Sequence, residues 1–286
     1  MITKKVDIDL VLLCISLFIF LSFINPLISV VYASPGDDSN DKEIGVEWVN
    51  YYYGSAPDLE YTDEDANGFL DYLISKGFYE KFRFGNSFAW EKDFEKPSVG
   101  GWDYIYADAA DFVYFAGHGD DTPAFYFGVN EDGDGNYPYM LHYSEAEWGD
   151  EDLEWIFLSA CECLAESSYY RWKSAFKGLH GITGFDTVSN DTPTLGELFA
   201  RYLTDWNYPI GRAWKYATMY DPNQYSWVYA AIYRVVVYTR DGLLVFDYSN
   251  DYLPGYGSGI HKDPTYYQNY PNRFYILYQW NHWRCN

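Results

Sequence analysis

Residues 111–120 read DFVYFAGHGD, a short apolar run that stops at Gly117-His118-Gly119. Residues 154–162 read EWIFLSACE, a second apolar run that stops just before Cys161. Short, nearly continuous apolar runs of this kind are typical of strands buried on both faces of a sheet. We therefore predict that each of two buried strands is followed directly by a residue capable of chemistry.

Strands alternate with helices on either side of these two runs. Thr62 followed by an acidic first turn predicts the start of one helix, and Gly77 marks its end. This alternation predicts an α/β fold with a mainly parallel sheet covered on both faces, and an antiparallel β extension at the C-terminal end. Predicted helices cover 62–75, 167–179, 195–205 and 210–219, and predicted strands cover 44–53, 79–94 (one or two strands), 111–116, 123–129, 137–143, 154–158, 180–185, 227–238, 243–248 and 274–280.

The N-terminus has the order of a secretory signal. Lys4 and Lys5 precede an apolar stretch, and Val31-Tyr32-Ala33 supplies small residues for cleavage after Ala33. The competing interpretation is a retained membrane anchor over 10–32, although Asn25 and Pro26 interrupt it. Both interpretations place the rest of the chain outside the cytoplasm, secreted or at the cell surface. We predict four segments: signal peptide 1–33, disordered leader 34–43, α/β domain 44–225, and a β-rich extension 226–286 packed on the same domain.

The chain is strongly acidic, with a formal net charge of −23. Such a surface repels nucleic acid and anionic membranes and favours basic peptides or cations as partners. We therefore expect no nucleic-acid partner, and no membrane insertion once the signal is cleaved. The 32 Tyr, 19 Phe and 11 Trp residues supply either core packing or exposed platforms for peptides and sugars.

Three cysteines lie outside the predicted signal: Cys161, Cys163 and Cys285. In an oxidising compartment, an odd count leaves one thiol unpaired or reactive. Parity favours a disulfide between Cys163 and Cys285, which leaves Cys161 free. The alternative is that Cys161 is a buried small residue or is itself half of a disulfide.

His118 and Cys161 are the candidate catalytic pair. The carboxyl ends of parallel strands meet at one edge of a sheet, so two residues that follow such strands can lie side by side. A thiolate nucleophile, an imidazole base and backbone N–H groups for the oxyanion are the parts that peptide-bond hydrolysis needs. This chemistry requires no cofactor.

The segments YFAGHGD (114–120) and WIFLSACE (155–162) resemble the two signatures of the caspase, gingipain and CHAT-domain group of cysteine peptidases. The resemblance covers about residues 112–202. It implies a caspase-like three-layer sandwich, with His118 as general base, Cys161 as nucleophile, and the N–H groups of Gly119 and Cys161 as oxyanion donors. Cys163 departs from the family pattern, in which a small or polar residue usually stands at that position.

Two functions remain open on this basis. The first is an exported cysteine peptidase, with Asp186 and Glu162 forming an acidic specificity pocket for substrates that carry basic residues. The second is a catalytically inactive protein on the same scaffold that acts as an extracellular binding or envelope component.

Asn130, Asp132, Asp134 and Asn136 alternate oxygen ligands in the manner of the first half of a calcium loop. Position twelve would be Leu141, so a standard EF-hand is excluded. The alternatives are a Ca²⁺ site completed by another segment and a plain turn rich in Asp and Gly.

Overall fold

The computed structural model of the chain describes residues 42–130 and 137–285. These residues form a mixed α/β fold with a mainly parallel central sheet. In chain order the strands are β1 (Glu43–Trp48), β2 (Tyr79–Gly85), β3 (Phe112–Ala116), β4 (Gly119–Asp120), β5 (Ala124–Tyr126), β6 (Met140–His142), β7 (Trp155–Ser159), β8 (Gly181–Phe185), β9 (Tyr229–Thr239), β10 (Leu244–Asp247) and β11 (Phe274–Arg284), and the α-helices are α1 (Thr62–Ser75), α2 (Leu195–Thr204), α3 (Ile210–Tyr220) and α4 (Pro264–Gln268).

The central sheet has eight strands in the order β10-β9-β8-β7-β3-β1-β2, with β11 also paired to β9. The pairs from β2 through β1, β3 and β7 to β8 are parallel. Strand β9 runs antiparallel to β8, β10 and β11, so the predicted C-terminal extension continues the same sheet. Strands β5 and β6 form the predicted hairpin and join β4 in a small antiparallel sheet.

Aromatic side chains cover both faces of the sheet. On one face Phe69 of α1 stacks on Tyr114 of β3, with ring centroids 4.8 Å apart, and Phe199 of α2 packs on Phe157 of β7 at 4.9 Å. On the other face Phe115 packs against residues that include Phe125 of the small sheet. Strand β3 is completely buried, as the unbroken apolar run predicted. Coverage from both sides therefore fixes β3 and β7 in the centre of the molecule.

One local prediction was wrong, and another, of one or two strands over 79–94, was met by a single strand. The predicted helix over 167–179 is a 3₁₀ helix, Tyr169–Ala175. It ends early because Trp148 N–H donates to the carbonyl of Ala175 at 2.7 Å, and Lys177 N–H donates to the carbonyl of Trp148 at 2.9 Å. The predicted strand region 79–94 contains one strand, β2, followed by two 3₁₀ turns.

The predicted signal peptide and nearly all of the leader lie outside the described residues. Within the described part of the chain, no helix is both long enough and apolar enough to cross a membrane.

A buried ionic network lies at the amino end of β8, opposite the edge that carries His118 and Cys161. His180 is fully buried and contacts Asp251 through Nδ1 at 2.8 Å and Asp263 through Nε2 at 3.4 Å. Burial by itself would lower the pKa of His180, but the two carboxylates outweigh it and raise the pKa to about 9. Asp251 also accepts hydrogen bonds from Trp155 and His261, so the network ties the segment after β10 to the central sheet.

We predict that His180→Gln lowers the free energy of unfolding at pH 7 by about 3 kcal/mol, because it leaves buried carboxylates without their cation. The raised pKa means that the stabilisation by His180 is complete below about pH 6.5 and is lost as the pH rises through 9. Urea unfolding of wild type and variant at pH 6.5, 8 and 9.5 tests both points. If the difference in unfolding free energy between wild type and His180→Gln does not shrink as the pH rises, the assignment of a charged His180 is contradicted.

Candidate active site

The register between β3 and β7 brings His118 and Cys161 to the same edge of the sheet. Ala116 pairs with Ser159 at the carboxyl ends of the two parallel strands. The pairing extends one step further, because Gly117 N–H donates to the carbonyl of Ser159 at 3.2 Å. His118 and Cys161 each follow their paired strand-end residue by two positions, and both line one cavity at this edge.

Gly119 allows the two strand ends to approach closely. A Cβ atom at this position would lie 2.5 Å from the carbonyl oxygen of Cys161 and 2.5 Å from Cys163 Sγ. Only glycine therefore fits between the histidine and the cysteine turn. In its pairing with Phe125, Gly119 occupies a non-hydrogen-bonded position, so its N–H points away from β5 and is not used by the hairpin.

His118 and Cys161 line one cavity of about 330 Å³. Both side chains are half-buried, which leaves them accessible from solvent while the strand ends behind them are closed. The rest of the lining comes from the loop before α1 and from the loop after β8, and includes Leu59, Thr62, Ser189 and Asn190.

Hydrogen bonds fix the orientation and the tautomer of His118. Its Nε2 lies 2.8 Å from the carbonyl oxygen of Pro57, which can only accept, so Nε2 carries the proton. In the neutral ring Nδ1 is then an acceptor and can take a proton. The Tyr52 ring packs on the imidazole with centroids 4.6 Å apart, and the His118 backbone N–H donates to the Tyr52 hydroxyl at 2.7 Å.

The Cys161 sulfur lies against Ser189. The Ser189 backbone N–H donates to Cys161 Sγ at 3.3 Å, and the sulfur also lies 3.6 Å from the Ser189 carbonyl oxygen. The 3₁₀ helix that replaces the predicted helix begins only at Tyr169, well after Cys161. Glu162, the residue after Cys161, has a φ of +53°, a left-handed conformation that is uncommon outside glycine and clusters at functional turns.

The predicted disulfide between Cys163 and Cys285 is wrong, because all three described cysteines are free. The two thiols have different surroundings: Cys163 Sγ lies 3.4 Å from the carbonyl of Ala124 under the small sheet, whereas Cys285 follows β11 and interacts with Thr218. Burial raises the pKa of Cys163 well above its usual value and that of Cys285 to about 11. Both thiols are packed core groups, and Cys161, which is half-buried, is the least buried of the three.

Acidic side chains line the cavity, but the set differs from the predicted one. Glu162 lines it, as predicted, and so do Asp65 and Asp191. Asp186 is not part of the lining, because its carboxylate accepts from Glu166 N–H at 2.7 Å and pairs with His282 Nδ1 at 2.6 Å. Burial raises the pKa of Asp65 to about 7, against hydrogen bonds from Ser159, Gly196 and Tyr114 that lower it.

For metal binding, the structure offers a different group from the predicted one. Of the predicted calcium ligands, Asp132, Asp134 and Asn136 lie outside the described residues, and Asn130 is described. Carboxylate oxygens of Glu43, Asp111 and Asp152 lie within 4.8 Å of one another at the far edge of the sheet. Neighbouring groups already bind them: Asp111 accepts from Glu43 N–H at 2.6 Å, and Glu43 pairs with Lys81 at 2.7 Å.

Sequence reasoning missed the residues that orient the pair and one acidic residue, Asp65, that lines the cavity. Tyr52, Pro57 and Asp65 come from the segment between β1 and the first turns of α1, and Ser189 comes from the loop after β8. Each reaches the site from a distant part of the chain, and no spacing or local motif links it to His118 or Cys161. The acidic first turn of α1 was the one available signal for Asp65, and it was interpreted as helix capping.

We predict that iodoacetamide alkylates Cys161 at least tenfold faster than Cys163 or Cys285 in the native protein, since Cys161 is half-buried and the other two described cysteines are buried. Tandem mass spectrometry of the digested protein locates the label, and Cys285→Ala is the control that should leave the fast reaction unchanged. Alkylation of Cys163 at the rate of Cys161 would show that the strand-end turn is not packed as described.

A comparison with curated proteins found no match. Residues 46–276 match a protein family described as Domain of unknown function (DUF6345), and this range includes both strand ends, the cavity and most of the sheet. The chain belongs to the DUF6345 family.

Proposed function

We propose that the protein is an exported cysteine peptidase with a caspase-like fold that hydrolyses peptide bonds through a His118–Cys161 dyad. The observation that carries the proposal is the shared cavity. A half-buried thiol and an imidazole with a free Nδ1 acceptor line it at the ends of two paired parallel strands. The likeness of the two strand-end motifs to caspase-type signatures supports the same assignment.

The chemistry follows from the positions of these groups. His118 Nδ1 takes the proton of the Cys161 thiol, and Sγ attacks the carbonyl carbon of the substrate. The N–H groups of Gly119 and Cys161 stabilise the oxyanion, and His118 returns the proton to the departing amine. Water then attacks the acyl thioester, with His118 again accepting a proton, and the carboxylic acid product leaves a free thiol.

The lining favours substrates with a basic side chain next to the cleaved bond. Asp65, Glu162 and Asp191 contribute carboxyl groups, and no Lys or Arg is among the described residues that line the cavity. Asp65 is buried and already accepts hydrogen bonds from Tyr114 and Gly196, so the half-buried Glu162 and Asp191 are the carboxyl groups that a guanidinium or ammonium group of the substrate would meet. The protein is thus proposed to prefer Arg or Lys at this substrate position.

The test is covalent labelling with a peptidyl acyloxymethyl ketone carrying Arg at the reactive end, followed by mass spectrometry. We expect labelling of Cys161, no labelling in Cys161→Ala, and at least a tenfold slower reaction in His118→Ala, since a general base contributes roughly 10²- to 10⁴-fold to the rate. A matched probe ending in Asp should react at least tenfold more slowly than the Arg probe. Cys285→Ala is the control and should label like wild type.

Absence of Cys161 labelling by either probe, in folded and reduced protein, would contradict the peptidase assignment. Equal labelling by the Arg and Asp probes would contradict the acidic specificity pocket alone.

A second candidate function is peptide or glycan binding without catalysis. One observation favours it: Tyr225 and Trp227 are exposed and stacked, with centroids 5.6 Å apart and planes 14° from parallel. Their loop is joined to the cavity rim, because Gln224 Nε2 donates to the carbonyl of Asn190 at 3.2 Å. Under this function, ligand binding survives in Cys161→Ala and is lost in Trp227→Ala.

A further inference from the structure

A second cavity, of about 650 Å³, shares no lining residue with the His118–Cys161 cavity. Residues of α3 form one wall, and the turn after β10 forms the opposite wall. The floor is made by β9 and β11, in which Ile232 pairs with Asn281.

The charge of this cavity is opposite to that of the molecule. The chain has 42 acidic and 19 basic residues, yet the described lining includes Arg212, Lys215 and Arg234 and no Asp or Glu. Arg234 is already compensated, since its Nε and Nη2 donate to the Asp247 carboxylate at 3.0 and 2.8 Å. Arg212 and Lys215 have no described carboxylate at ion-pair distance, so their charge is available to a ligand.

Aromatic rings hold the two free cations in place. The guanidinium carbon of Arg212 lies 4.1 Å from the Tyr208 ring centroid, and Lys215 Nζ lies 6.0 Å from that of Trp283. A guanidinium stacked on a ring keeps the N–H groups in its own plane free to bind two oxygens of an anion. Arg212 also lies in the first turn of α3, where backbone N–H groups add to the positive potential.

We propose that this cavity binds a small organic anion, a sugar that carries a phosphate or sulfate ester. Arg212 and Lys215 bind the tetrahedral oxyanion. The exposed amide of Asn250, the Nδ2 group of Asn281, whose Oδ1 accepts from Arg234, and the rings of Tyr252 and Trp283 provide hydrogen-bonding groups and flat surfaces for a sugar. The volume lies in the range of sites that hold small molecules and exceeds what an isolated ion would fill.

The test is isothermal titration calorimetry of the full chain at low ionic strength with glucose 6-phosphate, glucose 6-sulfate and glucose. We expect saturable binding of at least one ester and no binding of glucose, and the tighter ester identifies the natural anion. Arg212→Ala/Lys215→Ala should weaken ester binding at least tenfold. The single variants Arg212→Gln and Lys215→Gln, examined by circular dichroism and thermal unfolding, show whether a loss of ester binding results from the missing charge or from a loss of folding.

Lys173→Ala/Arg273→Ala is the matched control. It removes the same charge from cations that also lie over aromatic rings, Tyr278 and Tyr270, but outside the cavity. It should leave ester binding within about twofold of wild type. The absence of saturable binding of either ester would overturn the proposal. The proposal would also be overturned if the control variant weakened ester binding as much as Arg212→Ala/Lys215→Ala does, because the esters would then be attracted to positive charge in general.

Discussion

The parallel pairing of β3 with β7 is the constraint on which the rest of the site depends. It ends with Ala116 opposite Ser159, and the next hydrogen bond, from Gly117 to Ser159, carries the register into the turns. A slip of one residue would reverse the face of every side chain in a strand. Because β3 is buried on both faces by aromatic residues, such a slip is excluded, and the positions of His118 and Cys161 follow from core packing.

Charge is divided among three regions of the fold. The carboxyl edge of the sheet has a cavity lined by carboxyl groups, the surface between α3 and β11 has one lined by cations, and the amino edge contains the buried network around His180. Local arrangement, and not the net charge of −23, therefore decides which partner each region favours. The net charge alone had indicated basic partners for the whole surface.

Patterns within short windows were sufficient for most of the fold. The apolar runs identified β3 and β7, and Thr62 with its acidic turn identified α1 with the correct ends. Sequence reasoning failed where contacts between residues far apart in the chain determine the local structure. Hydrogen bonds with Trp148 end the 3₁₀ helix after Ala175. Cys163 and Cys285 are packed separately and do not form the disulfide that the odd number of cysteines had suggested. In the site, the strand-end pair was predictable because strand order dictates it, whereas Pro57 and Ser189 reach it through loops that carry no local signal.

The central claim is that His118 acts on the thiol of Cys161, and the rate of Cys161 alkylation by iodoacetamide at pH 7 tests it most directly. If His118 accepts the proton of Cys161, His118→Ala should slow this reaction at least tenfold, because the thiol loses its proton acceptor. His282→Ala removes a histidine that is paired with Asp186 and lies outside the cavity lined by His118 and Cys161. It should leave the rate unchanged. Equal rates in wild type and His118→Ala would contradict the account.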